Sequence, residues 1–250
     1  DKMLKKELKK AKIDKEKAEK MQIIQDKRVH MAYLAIFCSK YVNGVARIHT
    51  DILKTDVLKD WYELYPEKFQ NKTNGITHRR WLMQANPELA GLVDKTIGDG
   101  WRKEPLRLSE LMPYTSDKAF LDECAAVKQL KKQQLANFIK DKYDITADVN
   151  SIFDIQVKRL HMYKRQLLNI LHVMDLYNRL CDNPNMDITP RTFIFGAKAA
   201  PGYYMAKKII SFITALADMI NSDPVASKYL KVVYVEDYNV TKAELLMPAA

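Results

Sequence analysis

The chain of 250 residues has no long hydrophobic run and little cysteine. No apolar run approaches the ~20 residues that a membrane-spanning helix needs, so we expect no membrane partner. The three cysteines, Cys38, Cys124 and Cys181, are far apart in the sequence and show no metal-ligand spacing. We therefore expect ordinary thiols in a reducing, cytoplasmic protein without a metal site.

Two standard nucleotide-binding motifs are also absent. Neither GxGxxG nor GxxxxGK[ST] occurs in the chain. These motifs shape the backbone around a dinucleotide or a nucleoside triphosphate, so their absence excludes the usual fingerprint of either kind of site.

Positive charge is what the chain has in surplus, with a formal net charge of +10. Residues 1–28 contain eleven Lys or Arg against six Asp or Glu, which accounts for half of that surplus. Their thin apolar stripe predicts a charged surface helix with no chemistry of its own. Because most of the remaining charge is spread along the chain, we expect no nucleic-acid partner.

The pattern of apolar residues predicts an α/β fold. Residues 29–150 are expected to be mainly helical, with a turn at Asn43-Gly44, a helix capped by Asn86 and a longer helix capped by Ser116. After Asp144 the pattern alternates, with strands at 152–157, 191–196 and 231–235 followed by helices at 165–180, 203–221 and 241–247. This βαβαβα alternation predicts a parallel sheet.

The loops that leave the three strands are 158–164, 196–202 and 236–240. In a parallel sheet such loops share one edge, where ligands bind. The first loop contains Lys158, Arg159 and Lys164 and leads into a helix, whose free N–H groups and dipole favour anions. A solvated basic loop is the alternative interpretation, but this placement between a buried strand and a buried helix favours a phosphate site.

Five motifs resemble those of the glycogen, starch and maltodextrin phosphorylases: VKRLHMYKRQLLN, NGVARIHT, KFQNKTNGIT followed by RRW, GAKAAPGYYMAK and VEDYNVTKAELLMPAA. The resemblance runs from about Lys27 to Ala250, and the GITHRRW variant resembles bacterial more than animal members. It implies the GT-B architecture, in which two Rossmann-like domains face each other across a cleft. Residues 29–73 would end the N-terminal domain, and 74–250 would form the first part of the C-terminal domain.

The resemblance implies a reaction as well as a fold. The reaction would be reversible phosphorolysis of α-1,4-glucan ends by inorganic phosphate, which releases glucose 1-phosphate with retained configuration. Pyridoxal phosphate would be the cofactor, and its phosphate would exchange a proton with the substrate phosphate. The whole protein would be a homodimer.

The resemblance also implies roles for single residues. Arg159 and Lys164 would be the catalytic cations that hold the substrate phosphate, as a bidentate fork and a point charge. Asn74 would hydrogen-bond a hydroxyl of the transferred glucose, and Tyr163 would lie against the sugar. The cofactor would be contacted by Lys158, Trp81, Tyr238 and Val240.

Two residues, Trp81 and His161, can also be interpreted from their residue types alone. Without the family, a tryptophan such as Trp81 is more often a core aromatic than a cofactor wall. His161 is expected to cap or pack and not to shuttle protons.

One family motif is missing. The Gly-Thr-Gly-Asn-Met sequence that precedes the family's Schiff-base lysine does not occur in these 250 residues. We expect it beyond Ala250, and we expect this chain to be an inactive internal piece of a longer enzyme. Two alternatives stay open: a GT-B nucleotide-sugar glycosyltransferase similar to glycogen synthase, without pyridoxal phosphate, and a basic non-catalytic module that binds RNA or an acidic partner.

Overall fold

The computed structural model describes residues 1–250, which divide into two compact units, Asp1–Ile76 and Thr77–Ala250. Each unit contains α-helices and at least one parallel strand pair, as expected for the α/β class. None of the helices combines the length and the apolar character that crossing a bilayer requires. The assignment of residues 29–73 and 74–250 to two particular domains stays a prediction.

The first unit contains five short helices and four short strands. They are α1 (Lys2–Lys10), α2 (Lys15–Lys20), β1 (Ile24–Gln25), β2 (Arg28–Val29), α3 (Met31–Cys38), β3 (Val42–Gly44), α4 (Arg47–Ile52), α5 (Lys59–Leu64) and β4 (Phe69–Asn71). β1 and β2 pair antiparallel, whereas β3 and β4 pair in parallel. A π-helical turn, Leu53–Val57, joins α4 to α5.

The structure corrects the expectation of one surface helix over residues 1–28. Two helices, α1 and α2, are separated by a turn, and Asp14 starts the second by accepting a backbone N–H. Asp is a strong N-cap residue, so a new helix begins there. Leu4 and Leu8 are buried in a core that includes Trp61, so the thin apolar stripe packs against the rest of the unit.

Asn43-Gly44 does not form the predicted turn. Both residues lie in β3, and Gly44 pairs with Asn71 of β4. A Cβ on Gly44 would lie 2.0 Å from Oγ1 of Thr50. Glycine is therefore required here by the close approach of α4 and not by a positive φ angle.

The second unit begins with the helical region that the sequence predicts. It contains a π-helical segment (Arg79–Gln84), α6 (Pro87–Ile97), two 3-10 segments (Asp99–Arg102 and Pro105–Ser116) and α7 (Lys118–Tyr143). Asn86 caps α6, as expected, by accepting the N–H of Leu89 at 3.3 Å. The cap of α7 is Asp117, which accepts the N–H of Phe120 at 3.0 Å, and not Ser116.

A three-stranded parallel sheet follows, in the order β5 (Ile152–Val157), β6 (Arg191–Gly196) and β7 (Leu230–Val235). These strands alternate with α8 (Gln166–Asp182), α9 (Tyr204–Ser222) and α10 (Val240–Ala249). The predicted βαβαβα unit is thus confirmed. Val157 pairs with Gly196, and Gly196 with Val235, so the three strands end level with one another.

Both faces of this sheet are covered by helices. Phe193 and Phe195 are buried on the face that packs with α8 and α9. Ile194, between them in the strand, is buried on the other face with residues of α7 and α10. Alternation along a strand sends neighbouring side chains to opposite faces, so β6 is apolar on both faces over Phe193, Ile194 and Phe195. This buried sheet holds the loops at its carboxyl edge.

Candidate anion-binding site

The loops after β5 and β6 are joined by backbone hydrogen bonds. The N–H of Lys158 donates to the carbonyl of Gly196 at 3.0 Å, and the N–H of Leu160 donates to the carbonyl of Lys198 at 3.1 Å. The parallel hydrogen-bonding pattern of β5 and β6 thus continues into the loops that follow them. The two loops therefore form one surface, as the sequence predicts for the carboxyl edge.

The loop after β7 is attached to the same surface. The hydroxyl of Tyr234 donates to the carbonyl of Ala197 at 2.8 Å. Burial raises the pKa of Tyr234 to about 12, so the phenol stays neutral and remains a donor at neutral pH. Nζ of Lys198 lies 2.7 Å from Oδ1 of Asp237, and this contact lowers the pKa of the carboxyl group.

Gly196 lets Tyr238 approach the end of the sheet. A Cβ at Gly196 would lie 2.9 Å from Cγ1 of Val157 and 3.4 Å from Cδ2 of Tyr238. A side chain there would have to displace the side chain of Val157. The close backbone approach that small residues in the 196–202 loop predict is therefore found at Gly196.

The cations of the first loop have no acidic partners. Lys158 and Arg159 are exposed and Lys164 is half-buried, and no carboxylate lies within 4.0 Å of any of them. Arg165, which follows them with a φ of 59°, is also exposed and without an acid. We call residues 158–165 the cation loop. Four like charges within eight residues favour an anionic ligand of more than one negative charge.

A cavity of ≈ 550 Å³ opens beside the cation loop. Its lining includes Arg159, Lys164 and Lys198, together with Tyr163 and Tyr203. Lys158 is not among the lining residues. The cavity thus combines three cations with two aromatic rings, which suits an anion attached to a ring-shaped organic group.

His161 has the packing role that the sequence predicts. Its Nδ1 accepts the N–H of Tyr163 at 3.4 Å, and its ring lies 4.7 Å from that of Tyr163 and 5.4 Å from that of Tyr203. Tyr163 is 71% exposed. Its ring is therefore in contact with His161 and with Nζ of Lys164, which lies 5.5 Å from the ring centroid, while most of the side chain is exposed.

Trp81 lies in the π-helical segment and is half-buried. Its neighbour Arg80 forms an ion pair with Glu244 of α10, and Nε2 of Gln84 donates to the same carboxylate at 3.3 Å. The Trp81 segment is thereby fixed to the helix that begins at Val240. Val240 itself is 45% exposed.

Tyr238 is half-buried, and its burial raises the pKa of the phenol. Asn74 belongs to the first unit, where it is exposed and its N–H donates to the carbonyl of Val45 at 3.0 Å. Its relation to the cation loop stays a prediction.

Sequence reasoning missed the polar residues that hold the cation loop. Nε2 of Gln166 donates to the carbonyl of Arg159 at 3.2 Å, and Nε2 of Gln156 donates to that of Lys164 at 3.1 Å. The signal was present, because a glutamine in a buried strand and another at a buried helix start are unusual. Both need hydrogen-bond partners, and the loop carbonyls are the nearest groups.

Fold and site together define the class: an α/β protein with a candidate anion-binding site at the carboxyl edge of a parallel sheet. A family model described as "Carbohydrate phosphorylase" matches residues 1–250. The chain belongs to the carbohydrate phosphorylase family. The match includes residues 1–26, which the motif comparison had left outside the resemblance.

Individual relatives agree with this family. The chain is 50% identical over 237 residues to "Glycogen phosphorylase" of Bacillus subtilis (strain 168), covering 95% of this chain and 30% of that protein. It is 49% identical over 240 residues to the muscle form of Oryctolagus cuniculus (95% and 28%) and 49% over 239 residues to the human liver form (94% and 28%). The chain thus spans less than a third of the length of these curated relatives.

Proposed function

We propose that the whole protein containing these residues is an α-glucan phosphorylase. It carries out reversible phosphorolysis of α-1,4-glucan ends and releases glucose 1-phosphate with retained configuration. The observation that supports this most directly is the cation loop, whose charges have no acidic partners beside a ≈ 550 Å³ cavity. Membership of the phosphorylase family makes phosphate the anion that best accounts for those charges.

Arg159 and Lys164 hold the substrate phosphate in this proposal. Both line the cavity, and neither is engaged by a carboxylate. A guanidinium group binds two phosphate oxygens at once, whereas an ammonium group acts as a mobile point charge. Together they stabilise the charge that builds up on the phosphate as the glycosidic bond breaks.

Lys158 holds the phosphate of pyridoxal phosphate, beside the substrate phosphate. The residues fit such a group, because a second phosphate next to the first requires cations in excess of those that the first one neutralises, and Lys158 and Arg165 supply them. When bound, the cofactor supplies a phosphate that exchanges a proton with the substrate phosphate. Trp81, Tyr238 and Val240 line the remainder of its pocket.

Asn74 and Tyr163 contact the sugar. The exposed amide of Asn74 is free to bond a glucose hydroxyl, and the exposed ring of Tyr163 offers a flat surface to the sugar. The two residues lie in different units. The proposed GT-B boundary between residues 29–73 and 74–250 would instead assign both residues to the C-terminal domain, because it lies three residues before the division at Ile76.

These 250 residues alone do not catalyse phosphorolysis. No lysine in the chain follows a Gly-Thr-Gly-Asn-Met sequence, so none is available for the cofactor linkage. The family match disfavours a nucleotide-sugar glycosyltransferase, and homodimer formation by the whole protein is part of the proposal.

The direct test is phosphate-dependent release of glucose 1-phosphate from maltodextrin in the presence of pyridoxal phosphate. We expect release by the whole protein and none by the 250-residue chain. No release by either would contradict the phosphorylase assignment, and release by the chain alone would contradict its predicted inactivity.

Variants of the whole protein then test the site. We expect Arg159→Ala and Lys164→Ala each to lower kcat/KM for phosphate by about 10²-fold, since each removes a charged contact to the reacting group. Lys142→Ala is the matched control, because Lys142 is exposed on α7 and has no ion-pair partner. A loss in the control as large as in the site variants would refute the assigned roles.

A further inference from the structure

Three side-chain amides adjoin the cation loop, and two of them bond its backbone. They belong to Gln156 at the end of β5 and to Gln166 and Asn169 in the first turn of α8. None of the three lines the cavity beside the loop. Gln156 and Gln166 bond backbone groups of the loop, and Asn169 bonds Gln156.

Gln166 has the larger share of these contacts. The residue is 2% exposed, and its Nε2 donates to the carbonyl of Arg159 at 3.2 Å and to that of Lys158 at 3.5 Å. Its Oε1 accepts the N–H of His161 at 3.5 Å. One buried amide therefore satisfies both its donor and its acceptor capacity within the loop.

Gln156 and Asn169 hold the other end of the loop. Nε2 of Gln156 donates to the carbonyl of Lys164 at 3.1 Å, and Nδ2 of Asn169 donates to Oε1 of Gln156 at 3.0 Å. Because Asn169 occupies the acceptor end of Gln156, the donor end of Gln156 must face the loop.

The loop needs such restraint because its charges repel one another. No carboxylate lies within 4.0 Å of Lys158, Arg159, Lys164 or Arg165, so repulsion favours spreading the loop apart when no anion is bound. The amides bond the carbonyls of three of these four residues. They carry no charge, so they restrain the backbone without neutralising the cations.

We propose that Gln156, Gln166 and Asn169 are positioning residues that hold the cation loop in its phosphate-binding geometry before phosphate arrives. This inference rests on the proposed function of the same loop. A preorganised site does not have to gather its charges during binding, which raises affinity. The amides act through Arg159 and Lys164 and do not touch the phosphate.

The test is a titration of the 250-residue chain with inorganic phosphate at constant ionic strength, followed by the amide NMR signals of the loop. Gln166→Met keeps the length of the side chain but removes the donor and the acceptor. We expect about a tenfold weaker phosphate affinity, because the charges are displaced and not removed. Gln133→Met, on the exposed face of α7, is the control and should leave the affinity unchanged.

A double-mutant cycle separates positioning from a general structural effect. If Gln166 acts through Arg159, the effect of Gln166→Met on phosphate affinity shrinks to less than about twofold in an Arg159→Ala background. An unchanged tenfold effect in that background would overturn the proposal. Gln156→Met paired with Lys164→Ala gives a second cycle, which decides the matter if Gln166→Met does not fold.

Different results would refute the positioning role of the amides and the phosphate-binding role of the loop. If Arg159→Ala leaves phosphate affinity unchanged, the phosphate role of the cation loop is wrong. If Arg159→Ala weakens binding tenfold or more while Gln156→Met and Gln166→Met do not, only the positioning role is wrong.

Discussion

Two charged regions of the second unit differ in how their cations are arranged. On α6 and α7 two cations are paired with acids of the other helix: Lys131 pairs with Glu88, and Nζ of Lys95 lies 2.7 Å from Oε1 of Glu123. In the cation loop, 158–165, none of the four cations has an acidic partner. Both regions are basic in sequence, so composition alone does not distinguish them.

The difference separates charge that supports the fold from charge that supports binding. Lys131 is only 5% exposed, and a buried ammonium group is tolerated only when it is paired. The cation loop stays partly in solvent, which lowers the cost of leaving its charges unpaired. Sites that break the ordinary rules of local stability are where ligands are expected. The unpaired loop is therefore the better candidate for function.

The largest effect on stability is expected when one partner of the Lys131–Glu88 ion pair is removed. We expect Lys131→Met to lower the free energy of unfolding by about 2–3 kcal/mol, measured by urea denaturation at pH 7. The value lies below that of a fully buried pair because the Glu88 side chain is 34% exposed and regains some hydration.

Two further variants check that the loss comes from the pair. Adding Glu88→Gln to Lys131→Met should recover about half of the loss, since no carboxylate is then left without its partner. Lys142→Ala, which removes an unpaired exposed cation from the same helix, should stay within about 0.5 kcal/mol of the wild type. A similar loss in Lys142→Ala would mean that pairing is not what distinguishes Lys131.

The scaffold of the site was predictable from sequence, and its polar detail was not. Strands 152–157 and 191–196 agree with the structure at both ends because each is a short segment rich in β-branched and aromatic residues. The position of the cation loop could be predicted from that strand pattern, because the loop begins where strand 152–157 ends. Its missing acidic partners could not be foreseen, since pairing depends on which side chains the fold brings within 4.0 Å.

Helix caps and turns were harder to predict from the sequence. Ser116 and Asp117 both favour helix caps, and the structure selects Asp117 because a 3-10 segment runs through Ser116. The Asn43-Gly44 pair is typical of turns, yet contact with Thr50 explains the glycine. Such outcomes are set by tertiary packing, which overrides local propensity.

A smaller effect is expected in the pH dependence of stability, to which the Lys131–Glu88 ion pair contributes. The hydrogen bond from Lys131 holds the pKa of Glu88 below its usual value of 4.5. A carboxylate with a lowered folded-state pKa contributes stability that is present above the unfolded pKa and is lost as pH falls through the folded one. We therefore expect the stability gap between wild type and Glu88→Gln to be largest near neutral pH and to close below pH 4.5. Urea unfolding of both proteins across this range tests the point, and a gap that widened in acid would contradict the sign.

The smallest effect is expected in the cation loop itself. Without phosphate, Arg159→Ala should leave the free energy of unfolding within about 0.5 kcal/mol of the wild type, or raise it by a few tenths, because it relieves repulsion and breaks no ion pair. Added sodium chloride should stabilise the wild type slightly more than the variant, since salt screens repulsion that the variant has partly lost. Chloride must be compared with phosphate at equal ionic strength, because phosphate also stabilises by binding. If Arg159→Ala destabilised the chain as much as Lys131→Met, Arg159 would be supporting the fold, and the division between paired structural cations and unpaired binding cations would be wrong.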